Sequence, residues 1–240
     1  MHELFIPLLT GHLIGDFLLQ TRWMVDSKKY VWVRLLHAAI VGAVTWALLG
    51  PVGAPAVCVM IAIVVLIHFL IDTIKGCFDN ENVYIFIMDQ AIHVLALLAI
   101  AALFGPERIL SLWLRWIPAF YYVLVIAIGL ILCIWFGGIL MSKALQPMIR
   151  ELGDKSSKGL CNGGKRIGQL ERALTYLLVL SGNPGAIGFL FAAKSILRFG
   201  EIKEPGQRKE AEYIIIGTFA SFGWALLVAV LTQRWLIWPR

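Results

Sequence analysis

Eight apolar blocks, separated by short polar joints, dominate this chain of 240 residues. Their edges fall near 3–20, 34–50, 54–75, 83–104, 118–142, 167–181, 185–199 and 212–232. A bilayer core takes about 20 apolar residues as a helix, and most of these blocks approach that length. None alternates apolar and polar residues with period two, so a transmembrane β-barrel is excluded. The fold class expected is all-α: a polytopic integral membrane helical bundle of about eight spans. Blocks 167–181 and 185–199 are short, and Ser181-Gly182-Asn183-Pro184-Gly185 separates them. They read either as two short crossings or as one re-entrant hairpin, which makes the alternative count six spans plus a hairpin. The segment 106–116 reads as an interfacial helix, with Trp113 and Trp116 at headgroup level.

Composition excludes the soluble alternatives. Sixty per cent of the residues are hydrophobic and only 15% are charged, against about 25% charged in a soluble domain. Disorder and fibrous structure are excluded on the same ground. The net charge of +6 suits cytoplasmic loops facing anionic lipid. No aromatic-interleaved basic patch or nucleic-acid motif accompanies it, so no nucleic-acid partner is expected. Cys58, Cys77, Cys133 and Cys161 form no CxxC pair and read as free thiols. The first block is studded with polar residues and lacks a small-residue cleavage site, so no cleavable signal peptide is expected.

Lysine and arginine are distributed unevenly between the two sides. The side reached after the first block carries Arg22, Lys28, Lys29, Arg34, Lys75, Lys143, Arg150, Lys155, Lys158, Lys165, Arg166, Arg198, Lys203, Arg208 and Lys209. The opposite side carries Arg108, Arg115, Arg234 and Arg240. The positive-inside rule makes the richer side cytoplasmic and puts both termini outside. Three regions are expected: a five-span region over residues 1–142, a cytoplasmic polar linker over 143–166 and a C-terminal membrane region over 167–240.

Ionisable residues inside spans are costly and mark function. Here they recur as pairs: His12 with Asp16, His68 with Asp72, and Asp89 with His93. Residues four apart share a helix face, so each pair presents an imidazole and a carboxylate to one point. His37 joins them from the second block. All seven lie near the cytoplasmic ends of their blocks. Such a set suits a divalent metal, zinc above all, as one ion or two, with His12, Asp16, His37, His68, Asp72, Asp89 and His93 as candidate ligands. A proton relay and plain interhelical hydrogen bonding are the alternatives. No HExxH is present, so a zincin-type protease is not supported.

The segment His12-Leu-Ile-Gly-Asp16-Phe17-Leu-Leu-Gln20 resembles the opening of a bacterial inner-membrane family catalogued only as a domain of unknown function. That family carries a His-x3-Asp-Phe-x2-Gln motif. The resemblance extends over about the first 100 residues and implies no activity.

A second polar set lies in the C-terminal region. Lys194 and Arg198 share a face and read either as an anion-binding pair or as members of an internal network, Glu171 with Lys194 and Glu212 with Arg198, with Glu171, Arg172 and Glu212 as structural ion-pair members. Gly163-Gly164-Lys165-Arg166 lacks the spacing of a phosphate loop.

The function expected is that of a membrane-embedded metal-dependent hydrolase with a cytoplasm-facing site. Asp16, Asp72 and Asp89 are the candidate catalytic acids and bases, and the substrate is lipid-like or phosphorylated. The alternatives are an ion- or proton-coupled transporter or channel, and a non-enzymatic membrane sensor or effector. Membrane lipid is the expected surrounding, the bacterial inner membrane the expected location, and an oligomer is compatible with all of this.

Overall fold

The structure is a computed structural model that describes residues 2–50, 54–78, 82–108, 113, 116–117, 119–152, 162–199 and 208–237. Every regular element among them is helical. Five helices are long and apolar enough to cross a membrane, at Val31–Leu49, Pro55–Lys75, Val83–Gly105, Phe120–Ala144 and Ala211–Ile237. In none is more than 44% of the apolar stretch buried within the protein. Side chains such as Leu66, Leu70, Leu95, Leu103 and Leu227 face outward. A helix that is apolar all round and buried on only one face needs an apolar surrounding, as a multi-pass membrane protein has.

The first block is built differently. An α-helix, α1 (His2–Ile14), runs into a five-residue π-helical turn, Gly15–Leu19. The turn ends at Gln20, whose backbone is extended, and Thr21 then caps a short helix, α2 (Arg22–Asp26), by accepting the Met24 N–H at 3.3 Å. Next come α3 (Val31–Leu49), α4 (Pro55–Lys75) and α5 (Val83–Arg108), the last kinked at Gly105 with φ +61°. After it stand α6 (Phe120–Ile131), a second π turn (Leu132–Phe136), α7 (Gly137–Ala144) and α8 (Gln146–Leu152). The short blocks form α9 (Gly163–Leu180) and α10 (Ile187–Phe199), joined by a turn that includes a 3-10 segment, Pro184–Ala186. The chain closes with α11 (Arg208–Ile237). Cys58, Cys77 and Cys133 are free. Cys161, residues 153–161 of the expected linker and most of the expected interfacial helix 106–116 lie outside the described residues or side chains.

The chain packs as two compact units, Met1–Ile131 and Leu132–Arg240. In the first, α1 lies against α3, α5 and α6, and α4 lies against α3 and α5. Each of four helices buries one stripe of residues spaced by four. On α1 the stripe is Leu4, Leu8 and His12, continuing to Asp16 in the π turn; on α3 it is Val33, His37, Val41, Thr45 and Leu49. On α4 it is Met60, Val64, His68 and Asp72, and on α5 it is Asp89, His93, Leu97 and Ala101. Rows spaced by four are natural packing ridges. Leu4, Leu8, Leu49, Met60, Leu97 and Ala101 share one hydrophobic cluster. The opposite end of each stripe is where the histidines and aspartates stand.

Two small residues let α1 approach α3. A Cβ on Gly11 would collide with the Thr45 hydroxyl and lie 3.0 Å from the Thr45 Cα, and a Cβ on Gly15 would lie 2.5 Å from Val41 Cγ2. Gly11-x3-Gly15 is the spacing by which membrane helices bring backbones close.

In the second unit, α9 packs mainly on α11, and the Phe191 ring of α10 meets Phe219 at a tilt and Phe222 edge-on, both on α11. Cys133, Tyr176, Val179, Phe222 and Ala225 contribute to its core.

Candidate metal centre

The four stripes bring all seven residues singled out in the sequence into one cluster. His12, His37, His68, Asp72, Asp89 and His93 are buried, none more than 5% exposed. Asp16, at 10% side-chain exposure, is the most open.

Asp16 is the hub. Its Oδ1 lies 3.2 Å from His37 Nε2, 3.4 Å from His68 Nε2 and 3.7 Å from His12 Nδ1. The π turn places it there, since it inserts an extra residue per turn just where the carboxylate must reach two neighbouring helices. The Gln90 amide donates to its other oxygen at 3.4 Å. The imidazoles form a contiguous group, with ring centroids 4.6 Å apart for His68 and His93, 4.8 Å for His12 and His93, and 5.0 Å for His37 and His68.

Hydrogen bonding orients the rings. The His93 Nδ1–H donates to the Asp89 main-chain carbonyl at 2.9 Å, which leaves the lone pair on Nε2. That is how metal-binding histidines are held, by a hydrogen bond on the nitrogen that does not ligate. The Gln20 amide lies 3.0 Å from His37 Nε2. Six buried atoms of the cluster have no hydrogen-bond partner: Nε2 of His12, His68 and His93, Nδ1 of His37, and Oδ1 of Asp16 and Asp89. Buried polar atoms are nearly always paired, so a cluster of unpartnered imidazole nitrogens and carboxylate oxygens has the chemistry to take up a cation or shared protons. Three groups bring ligand atoms within 4.8 Å of one another: His12, His68 and His93; Asp16, His37 and His68; and Asp72, Asp89 and His93. Beside the first group lies a small pocket with room for about one water-sized body, closed by Val41, Val64 and Leu97. The donor set, imidazole nitrogen with carboxylate oxygen, fits zinc.

Two lysines supply counter-charges to the cluster. Lys28 Nζ donates to Asp72 Oδ2 at 2.9 Å, and Lys75 Nζ is bonded to Asp89 Oδ2. In the sequence Lys28 counts only toward topology, and nothing in its surroundings in the chain links it to a residue 44 positions away. Lys75, at the end of its own apolar block, is a cation the sequence places near these carboxylates, and Lys28 is one it does not; Asp72 and Asp89 each hold a lysine, and Asp16 is left among histidines.

The second unit resolves the other polar set. Lys194 Nζ pairs with Glu171 Oε2 at 2.7 Å, as an internal ion pair. Arg172 is buried, yet its described hydrogen bonds go to the Ser221 hydroxyl at 3.1 Å and the Ile134 carbonyl at 3.1 Å, not to a carboxylate. The Ile134 carbonyl, like that of Leu132, which accepts Trp224 Nε1–H at 2.9 Å, belongs to the second π turn. Bare backbone at Gly138 and Gly168 flanks the guanidinium, since a Cβ there would lie 3.0 and 3.2 Å from its nitrogens. Glu212 is exposed, and the Arg198 side chain lies outside the described residues. The expected pairing of Lys194 with Arg198 on an anion is thus described only for Lys194, which Glu171 holds.

No curated protein and no solved structure matches the chain. A family model described as "Protein of unknown function (DUF3307)" matches residues 4–135, which include every residue of the centre. That match spans more than half of the sequence, and the chain belongs to this family.

Proposed function

We propose that the protein is a multi-pass membrane hydrolase of the bacterial inner membrane that works through one divalent metal ion, zinc by its donor set. The observation that carries this reading is the convergence of three buried imidazoles, each with an unpartnered Nε2, beside a pocket of ionic size. Of the seven candidate ligands, His12, His68 and His93 hold the metal. Bound to them, it would supply a water acidified toward neutrality. Asp16 is the general base, because it is the carboxylate nearest the imidazoles and the one with no lysine. His37 and Gln90 orient Asp16. Asp72 and Asp89 hold Lys28 and Lys75 in place.

The charge balance supports one ion rather than two. Three carboxylates and two lysines leave one negative charge when the imidazoles are neutral. A single dication with a bound hydroxide cancels it. A second dication would leave a buried excess, which a membrane interior penalises.

A transporter needs a polar path across the membrane. The far ends of the four stripes are mostly aliphatic, at Leu4, Leu8, Leu49, Met60 and Ala101, so the described buried ionisable residues of the unit stop at one end. By the lysine and arginine count that end is cytoplasmic, with both termini outside. The eighteen residues of α1 and its π turn reach about 27 Å, which makes a crossing of the first block as well.

The test is elemental analysis of the protein purified without chelator. About one zinc per chain is expected, and His12→Ala, His68→Ala or His93→Ala should each lower it while the protein still inserts. Wild-type protein that holds no stoichiometric metal, and gains none on dialysis against zinc, would refute the metal centre. The His–Asp16 cluster would then be a shared-proton network.

A further inference from the structure

The two lysines at the centre have a feature that the ion pairs alone do not require. Lys28 and Lys75 are 23% and 22% exposed, while the carboxylates they hold, Asp72 and Asp89, are almost fully enclosed. Each ammonium thus stands at the surface with part of its hydration shell open and its base anchored in the site. Oxygens of Asp72 and Asp89 approach within 4.8 Å of each other, with His93 in the same group. Both cations therefore sit on adjoining carboxylates. Lys28 is held from behind as well: Arg34 Nη1 donates to its carbonyl at 2.8 Å, and the Nε of Arg34 is buried without a partner. Lysine ammonium groups have three donors, of which the carboxylate takes one.

The surface around Lys28 is that of a headgroup layer. Trp23, Tyr30 and Trp32 are each at least half exposed, and the two tryptophan rings lie 5.5 Å apart. Lys29 Nζ lies 5.1 Å from the Tyr30 ring centre. Exposed tryptophan and tyrosine interleaved with Arg22, Lys28, Lys29 and Arg34 belong at the membrane–water interface, beside anionic lipid.

From these two observations we infer that Lys28 and Lys75 form the phosphate-binding rim of the centre, and that the group they bind is the headgroup of an anionic phospholipid arriving from the adjoining leaflet. Any chemistry after binding rests on the hydrolase reading, since the rim would hold the phosphate next to the imidazole group. Binding itself requires only the rim. The lysines select charge and the aromatic loop selects lipid, so a phosphate free in solution lacks the second contact.

The experiment uses the full chain in detergent and native mass spectrometry with dioleoyl phosphatidic acid, dioleoyl phosphatidylcholine and glycerol phosphate as probes, with zinc measured on the same samples. Phosphatidic acid should be retained at least tenfold over phosphatidylcholine, and glycerol phosphate should not displace it. Lys28→Gln with Lys75→Gln should abolish the preference. Because these changes strand two buried carboxylates, a second variant removes both partners of each pair: Lys28→Met with Asp72→Asn, and Lys75→Met with Asp89→Asn. It too should lose the preference. Equal retention of the two lipids, a preference that survives in the variants, or displacement by glycerol phosphate would each overturn the inference. Absence of zinc with the lipid preference intact would refute the hydrolase reading and leave the rim standing.

Discussion

Replacing Gly11 by alanine tests whether close approach of α1 to α3 builds the centre. The new Cβ would meet the Thr45 hydroxyl well inside contact distance and lie 3.0 Å from both Cα and Cβ of Thr45. Thr45 is fully buried, and its hydroxyl donates to the Val41 carbonyl at 2.8 Å. Rotating the hydroxyl aside breaks that bond, at about 1 kcal/mol. It does not relieve the contact with the backbone, so the helices must also part by several tenths of an ångström. Overpacking of this kind costs about 1–3 kcal/mol, and the two effects together put Gly11→Ala near the upper end. Gly223 is the reference. It lies inside α11 with nothing within 4 Å of an added Cβ, so alanine there should be neutral, or stabilising by about 0.5–1 kcal/mol through helix propensity. Thermal unfolding of both variants in one detergent reads the difference. Since His12 follows Gly11 directly and Asp16 contacts His37 across the same seam, Gly11→Ala should also lose zinc. Equal stability of the Gly11→Ala and Gly223→Ala proteins would refute the packing argument and, with it, the placement of Asp16.

In the second unit, Glu171→Gln should destabilise the protein by about 1–3 kcal/mol by stranding the half-buried Lys194 ammonium, and Glu171→Gln with Lys194→Met should recover part of that loss in a double-mutant cycle. Arg172→Lys keeps the charge but loses the fork that reaches both Ser221 and Ile134, so it should lower the unfolding temperature by an amount equivalent to about 2 kcal/mol; an unchanged midpoint would show that the π turn holds itself. Orientation is checked with a cysteine at position 155 in a background without the four native cysteines: labelling by an impermeant reagent should require opened cells, and labelling of intact cells would reverse the assignment of sides.

What the sequence revealed of the centre was its repeat. His and Asp four residues apart, on apolar blocks, necessarily share a face, and burial of that face follows from the cost of exposing it to lipid. The same spacing runs on through Leu8, Val41, Val64 and Leu97, which is why side chains from four helices meet in one cluster. The π turn at Gly15–Leu19 was not legible, since i,i+4 counting assumes a regular helix and the turn changes the phase at Asp16 itself. The Gly11-x3-Gly15 seam is visible in principle as a small-residue spacing, but it stands beside far more conspicuous histidines. Of the two lysine partners, Lys75 was visible as a cation at the end of its own block, and Lys28 was not legible. Lys28 reaches Asp72 across 44 residues, and its neighbours in the chain give it the appearance of an ordinary cytoplasmic loop residue. Glu171 pairs with Lys194 as an internal network requires, whereas the buried Arg172, read as an ion-pair member, takes up a carbonyl from the second π turn and the Ser221 hydroxyl instead.

The lysine pairs change which residue carries the chemical argument. Without them, three carboxylates among apolar helices would call for cations of any kind, and a metal would be one solution among several. With Asp72 and Asp89 each held by a lysine, the cluster atoms left without a hydrogen-bond partner are Asp16 Oδ1, Asp89 Oδ1, His37 Nδ1 and the Nε2 atoms of His12, His68 and His93. Every neutral imidazole carries one N–H, on Nδ1 or Nε2, so His12 and His68 can each donate from Nε2 without a further proton. The His93 ring narrows the choice further. Its Nδ1–H is committed to the Asp89 carbonyl, so a proton on Nε2 would make a buried imidazolium against the stacked His12 ring 4.8 Å away. A metal ion accepts all three nitrogens at once and leaves every imidazole neutral. The choice between metal and proton therefore reduces to His93. Its replacement by glutamine, which can keep one hydrogen bond but loses the ring geometry, should abolish zinc binding if the nitrogen ligates. If the cluster shares only a proton, the loss of this one ring should leave the contacts of Asp16 with His37 and His68 in place.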